Sequence, residues 1–192
     1  MGRRIRISGG QFGGRNLQAP KHSLTRPTAS RAREALFNIL GESVVGKTVA
    51  DCFAGSGALG LEALSRGASS VTLFESNREA IECIRQNIES LGVASQATLI
   101  GGRLPKSLPK SASFDLIFMD PPWDKGWGPK LLEAFNRGGV ARAGAMTLLE
   151  ERRGNIRASD LHDLSWDLVD QRTYGDTELS FLVYRSDEFD QP

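Results

Sequence analysis

The sequence predicts an α/β fold: a mostly parallel, seven-stranded sheet covered by helices, with a C-terminal antiparallel hairpin and a small N-terminal β-hairpin extension. Three observations carry this. From Lys47 onward, short apolar segments alternate with helical ones, the order that builds a doubly wound parallel sheet. Gly55-Ser56-Gly57-Ala58-Leu59-Gly60 falls between the first of these strands and its helix, and Glu75 lies twenty residues beyond Gly55. Phe114-Asp115-Leu116-Ile117-Phe118-Met119 is almost wholly apolar, as a strand covered on both faces requires, and it runs straight into Asp120-Pro121-Pro122-Trp123.

Residues 4–7 and 15–18 predict two short strands joined through Gly9-Gly10 and Gly13-Gly14, a basic hairpin. A helix is expected from about Ser30, with Ala32, Ala35, Leu36, Ile39 and Leu40 on one apolar stripe and Arg31, Arg33 and Asn38 facing elsewhere. Thr48–Phe53 predicts the first strand of the main sheet and Ala58–Arg66 its helix, stopped at Gly67. Ser70–Glu75 is the next strand. A helix then starts at Ser76, which with Glu79 forms a capping box, and stops at Gly92. Strands at Ala97–Ile100 and Phe114–Met119, a helix at Pro129–Arg137 and a strand at Ala145–Glu151 follow. Trp166–Thr173 and Leu179–Arg185 close the sheet as a hairpin turning at Tyr174-Gly175-Asp176-Thr177.

At 192 residues, 40% hydrophobic and 24% charged, the chain suits one soluble globular domain with room for a small appendage. No apolar run approaches the ~20 residues that span a bilayer, and no signal-peptide core follows the basic N-terminus. Cys52 and Cys83 fall in a strand and a helical pattern and read as reduced core thiols, so a cytoplasmic location is expected. His22 and His162 are isolated and read as surface residues rather than ligands or bases. Charge is polarised. Residues 1–40 carry +7 and the remainder −6. Arg3, Arg4, Arg6 and Arg15 lead that basic segment, and their planar forks suit phosphate, although a merely solvated basic arm has the same composition.

The glycine run and the distant acid together describe a nucleoside site: the glycines let the backbone approach a ligand, and Glu75 accepts ribose hydroxyls. NAD and S-adenosylmethionine (SAM) both present adenosine to such a loop. Three features favour SAM. Asp51 would receive a cationic amino group but repel a pyrophosphate. The Asp120 element suits a planar group bearing NH2: a carboxylate, stiff proline carbonyls without N–H donors, and a flat indole. No second domain with a hydride-relay histidine is present. A lone Asp-Pro-Pro is more often an ordinary proline turn capped by an aspartate; the upstream loop is what gives it meaning.

Taken with Thr25-Arg26-Pro27-Thr28, Arg33 to Leu40, Asp51 to Gly67, Asp120 to Trp123 and Tyr174 to Thr177, the chain resembles the bacterial RsmD family over residues 3 to about 185. That resemblance implies a Rossmann-like SAM-dependent methyltransferase fold and methylation of guanine N2 in 16S rRNA, the family being named for guanine 966. It implies Asp120, Pro121, Pro122 and Trp123 as the catalytic element, and Asp51, Phe53, Ala54, Gly55, Ser56, Gly57, Glu75 and Arg26 as cofactor contacts. Arg26 would pair with the methionine carboxylate, although a phosphate contact or a helix-entry role fits it as well. Arg3, Arg4, Arg6 and Arg15 would contact rRNA phosphates. S-adenosylhomocysteine is the expected product. The leaving group is neutral, so no metal is expected.

The implied organisation is a basic arm at 1–24, a methyltransferase domain at 25–186 and a frayed tail at 187–192. The implied partner is 16S rRNA in the assembled or assembling small ribosomal subunit, with no membrane and a monomeric enzyme. Two positions depart from the family pattern. Trp123 stands where tyrosine or phenylalanine is usual, and Gly101-Gly102-Arg103 offers no side chain to assign to the adenine. An adenine-N6 or cytosine-N4 methyltransferase and a catalytically silent RNA-binding assembly factor are the alternative readings, with an NAD-dependent oxidoreductase last.

Overall fold

The computed structural model describes residues 4–20, 27–123, 125–161 and 164–185. Seven strands form one mixed sheet in the order β5-β4-β3-β6-β7-β9-β8, and a separate two-stranded hairpin precedes it. The chain comprises two compact units, Met1–Arg103 and Leu104–Pro192.

In the first unit, β1 (Arg4–Arg6) and β2 (Asn16–Gln18) pair antiparallel, with Ile5 opposite Leu17. Helix α1 (Pro27–Leu40) leads to β3 (Thr48–Cys52), α2 (Ala58–Ser65), β4 (Ser70–Glu75), α3 (Arg78–Leu91) and β5 (Ala97–Gly101). The strands β3, β4 and β5 are parallel neighbours. Val49, Ala50, Leu61, Val71, Leu73, Phe74 and Ile84 form the core between them and their helices, each no more than 1% exposed.

The hairpin is fastened to this body. Gln11 N–H donates to the Ser65 carbonyl at 2.7 Å and Phe12 N–H to Ser65 Oγ at 2.9 Å. So close is the approach that a Cβ on Gly10, which has φ +75°, would lie 1.9 Å from the Ser65 carbonyl oxygen. Only glycine fits there. On the other flank, Arg15 donates to the Ser90 carbonyl at 2.6 Å, in the last turn of α3, where a cation is favoured.

The second unit contains β6 (Phe114–Met119), α4 (Trp127–Arg137), β7 (Ala141–Arg152), β8 (Trp166–Tyr174) and β9 (Thr177–Tyr184). The pair β6/β7 is parallel, whereas β7/β9 and β9/β8 are antiparallel. Phe114 and Phe135 pack at 6.3 Å between ring centroids, and Trp166 donates its indole N–H to the Leu132 carbonyl at 3.3 Å. A register shift between Leu168 and Asp170 bulges β8.

Several expectations need correcting. Helix α1 starts at Pro27 rather than near Ser30, since a first-turn proline has no N–H to lose. Its buried face is Arg33, Leu36, Phe37 and Leu40, while Ala32 and Ile39 are exposed. Arg33, expected to face away, is only 8% exposed because Glu62 lies inside to meet it. The cap of α3 is Asn77, whose side chain accepts from Ala80 N–H at 3.1 Å, not Ser76. Both Ser76 N–H and Asn77 N–H are instead turned onto the Glu75 carboxylate. Helix α4 begins at Trp127, and β7 runs from Ala141 to Arg152, longer than its apolar stretch. Cys52 is buried and Cys83 half-buried, both as free thiols. His22 and His162 lie outside the described residues.

Candidate functional site

The glycine loop is built by a sharp exit from β3. Phe53 takes φ +62°, a left-handed conformation that costs a non-glycine residue about 1–3 kcal/mol and persists only where the surrounding structure imposes it. Gly55 and Gly57 follow at φ +59° and +77°. Ala54 N–H still reaches the Phe74 carbonyl at 2.9 Å, so the loop is pinned to β4 as it turns. Asp51 is 2% exposed, and its Oδ2 accepts Gly60 N–H at 2.8 Å in the first turn of α2. A Cβ at Gly60 would lie 2.7 Å from Val71 Cγ2 and 3.1 Å from Asp51 Oδ2, so glycine lets the helix close on the sheet there.

Glu75 sits at the carboxyl end of β4, half-buried, and joins the loop to the next helix. Its Oε2 accepts Gly55 N–H at 2.8 Å; its Oε1 accepts Ser76 and Asn77 N–H at 2.7 and 2.8 Å. A carboxylate has about four acceptor positions. The three backbone bonds leave about one, on Oε2, for a ligand hydroxyl, and a second hydroxyl would have to displace a turn N–H. The structure therefore brings Gly55 and Glu75 into direct contact. Phe53, Ala54, Ser56 and Gly57 form the rest of the same loop. Gly102 N–H continues past β5 to the Glu75 carbonyl at 2.8 Å, leaving Gly101-Gly102 a backbone element.

In the second unit, β6 is followed directly by Asp120, which is exposed, then by buried Pro121, exposed Pro122 and half-buried Trp123. Protein packed around Asp120 withdraws hydration from its carboxyl, and the Glu151 charge adds to this, pushing it up to about 6. Its access to solvent moderates that upward shift. Glu150 is pushed up to about 7, by burial first and then by the Asp120 charge. The two carboxyls therefore share their titration rather than each owning one pKa. The strand register agrees, because Met119 is opposite Leu149 in the parallel β6/β7 pair, which brings Asp120 and Glu150 to one level and one face.

The Arg152 guanidinium lies 6.0 Å from the Trp123 ring centroid, stacked on one face of the indole. None of Glu150, Glu151 and Arg152 was singled out in the sequence. Their signal was nevertheless there: three charged residues end an otherwise apolar strand that pairs with the strand leading into Asp120.

Of the basic residues singled out, Arg6 and Arg15 are exposed on the hairpin and Arg4 lies in β1. Arg3 and Arg26 lie outside the described residues. Among the described residues no group of three or more His, Cys, Asp or Glu side chains could hold a metal ion. No helix among them is long and apolar enough to cross a membrane.

Known proteins resemble this chain along most of its length. The "Ribosomal RNA small subunit methyltransferase D" of Escherichia coli K12 is 41% identical over 122 residues, a match covering 64% of this chain and 62% of that protein. The protein of the same name from Haemophilus influenzae is 29% identical over 189 residues, covering 95% and 94% of the two chains. A solved structure described as "Putative methyltransferase yhhF from Escherichia coli" superposes with a TM-score of 0.84 at 31% identity, over 96% of this chain and 99% of that one. The family described as "Conserved hypothetical protein 95" matches residues 5–183, and the chain belongs to it, the RsmD family.

Proposed function

We infer that this chain transfers the methyl group of SAM to the exocyclic N2 amine of a guanine in 16S rRNA, at the position the family is named for, guanine 966. The observation that carries this reading is the Asp120-Pro121-Pro122-Trp123 turn: an ionisable carboxylate just past the end of a parallel strand, beside stiff carbonyl acceptors and a half-buried indole. The names of the relatives support the reaction class and the rRNA substrate.

The residues of the loop fit SAM. Glu75 has room to accept a ribose hydroxyl beside the Gly55 N–H, and Asp51, held rigid by Gly60, is assigned the cationic amino group of the methionine moiety. Phe53, Ala54, Ser56 and Gly57 present backbone to the ligand, and Arg26 is assigned its carboxylate. When bound, SAM supplies a methyl group on a cationic sulfur.

The guanine N2 lone pair is delocalised into the ring, which makes it a weak nucleophile. Accepting its hydrogens on Asp120 and the Pro121 carbonyl biases that nitrogen towards a pyramidal geometry and aims its lone pair. Such orientation accounts for effective molarities of about 10⁵–10⁸ M. Asp120 takes the proton released as the N–C bond forms. Trp123 stacks on the base, which must leave its helix to be reached. Arg3, Arg4, Arg6 and Arg15 hold phosphates and contribute affinity rather than base choice. The small ribosomal subunit is the proposed partner and a monomer the proposed form. The proposed organisation is a basic N-terminal arm at 1–24 and a methyltransferase domain at 25–186.

Labelled SAM incubated with the protein and small subunits, free rRNA or DNA, followed by nucleoside analysis, tests this directly. N2-methylguanosine from rRNA is expected. N6-methyladenosine or N4-methylcytidine would transfer the chain to the alternative acceptors, and no label in any nucleic acid would end the reading.

Two further results are expected. Glu75→Ala should raise the SAM dissociation constant about tenfold or more, read by calorimetry, since it removes an acceptor and releases three ordered N–H groups. An unchanged constant would remove Glu75 from the ribose. The single-turnover rate should fall about tenfold between pH 7 and pH 5, because Asp120 must be ionised to accept a proton and its pKa is raised to about 6. A rate flat over that range would mean an ordinary aspartate or none in the step.

A further inference from the structure

Asn87 lies in the middle of α3, 1% exposed, and its amide is fully used by two segments far from it in sequence. Oδ1 accepts Gln18 N–H at 2.7 Å. The two Nδ2 hydrogens go to the Gln18 carbonyl and the Ser56 carbonyl, each at 2.9 Å. Gln18 ends β2 of the basic hairpin, and Ser56 lies between the two left-handed glycines of the loop. Other hairpin fastenings run to α2 through Ser8, Gly9, Gln11 and Phe12, to α3 through Arg15 and to α1 through the Arg6 carbonyl, and so reach helices rather than the loop. Asn87 joins hairpin and loop through one side chain.

Both hydrogens of a planar amide are fixed relative to its oxygen. A shift of Ser56 by a few tenths of an ångström therefore tilts the amide and misaligns both bonds to Gln18. The environment is buried, where a misaligned or lost polar contact is not replaced by water. Loop and hairpin consequently favour one joint arrangement.

We propose that Asn87 is a positioning residue that couples the basic hairpin to the glycine loop, so that RNA engagement on the hairpin and cofactor binding in the loop strengthen each other. The proposal rests on the reading of the loop as the SAM site and the hairpin as an rRNA contact. Linkage makes the effect reciprocal: whatever factor the RNA adds to cofactor affinity, the cofactor adds to RNA affinity.

The test uses S-adenosylhomocysteine, which is not consumed, and measures its dissociation constant with and without saturating small ribosomal subunits. The wild-type protein should bind it about fivefold or more tighter with subunits present. Asn87→Ala, with folding checked by circular dichroism, should weaken binding about tenfold and bring that ratio to about one. A general loss of stability would weaken binding without erasing the ratio. A folded Asn87→Ala with wild-type affinity and ratio overturns the proposal, as does a wild-type ratio of one. Should Asn87→Ala fail to fold, hydrogen exchange in the wild-type chain decides: S-adenosylhomocysteine should slow exchange of the Gln18 amide, and an unchanged rate overturns the coupling. A wild-type protein that binds no S-adenosylhomocysteine ends the loop reading and the coupling together, which separates that failure from the others.

Discussion

Asp120→Ala should lower methyl transfer by about 10²–10⁴-fold while leaving SAM affinity within about threefold. The two effects separate because Asp120 belongs to the loop after β6, whereas the cofactor contacts assigned above, Arg26 apart, come from β3, its loop and the end of β4. The alanine removes both the acceptor that shapes the amine and the base that receives its proton. Asp120→Asn divides these roles. The amide oxygen still accepts a hydrogen bond but is no proton acceptor, so the variant should keep more activity than the alanine. Its rate should also lose the dependence between pH 5 and 7 that the raised aspartate confers. Rapid-quench turnover at several pH values reads both. Wild-type rates from Asp120→Ala would remove the residue from the mechanism.

The largest expected change in stability comes from Glu62. This carboxylate on α2 has no solvent exposure and holds three parts of the first unit at once. It accepts Ser8 N–H at 2.9 Å, Ser8 Oγ–H at 2.6 Å and Gly9 N–H at 3.1 Å from the hairpin. Arg66 approaches at 3.0 Å and Arg33 of α1 at 3.4 Å, and Arg33 also donates to the Arg6 carbonyl at 2.7 Å. Glu62→Ala leaves buried Arg33 without this partner and frees hairpin donors, so it should cost about 3–5 kcal/mol in urea unfolding at pH 7. Glu62→Gln keeps an acceptor and should cost less.

The pH dependence follows from the sign of the shift. Burial opposes the Glu62 charge, but the Ser8 and Arg66 hydrogen bonds and the Arg33 charge outweigh it, holding the carboxyl below its ordinary 4.5. A depressed folded-state pKa means the ionic contribution is full above 4.5 and is lost as pH falls through the lower folded value. The stability gap between wild type and Glu62→Gln should therefore narrow as the solution is acidified below about 4.5. A gap independent of pH would mean that the glutamate acts by packing alone.

Most of the sheet could be read from local pattern, because strand and helix alternation, glycine spacing and the apolar run before Asp120 are all short-range signals. What was hidden depends on contacts between distant segments. Arg33 read as solvent-facing because the stripe through Ala32 and Ile39 is internally consistent; only Glu62, 29 positions away, turns the helix to bury Arg33 and Phe37. Asn87 carries no local signal of its role, because its partners Gln18 and Ser56 lie 69 and 31 positions away. Ser76 and Asn77 are both plausible caps, and the Glu75 carboxylate, by drawing both N–H groups, moves the start to Asn77. The left-handed Phe53 has no propensity signal at all, since a phenylalanine adopts φ +62° only where the surrounding fold imposes it.

The bulge in β8 has a consequence beyond the fold. This strand ends the sheet, so one row of its peptide groups faces outward, a template on which another polypeptide could zip. Val169 is 55% exposed along it, which would make such pairing adhesive. The misregister between Leu168 and Asp170 breaks the regular spacing of that row, and Asp167, Asp170 and Arg172 set charges along it. A flat, neutral border would invite fibrillar stacking; this one is kinked and salted against it.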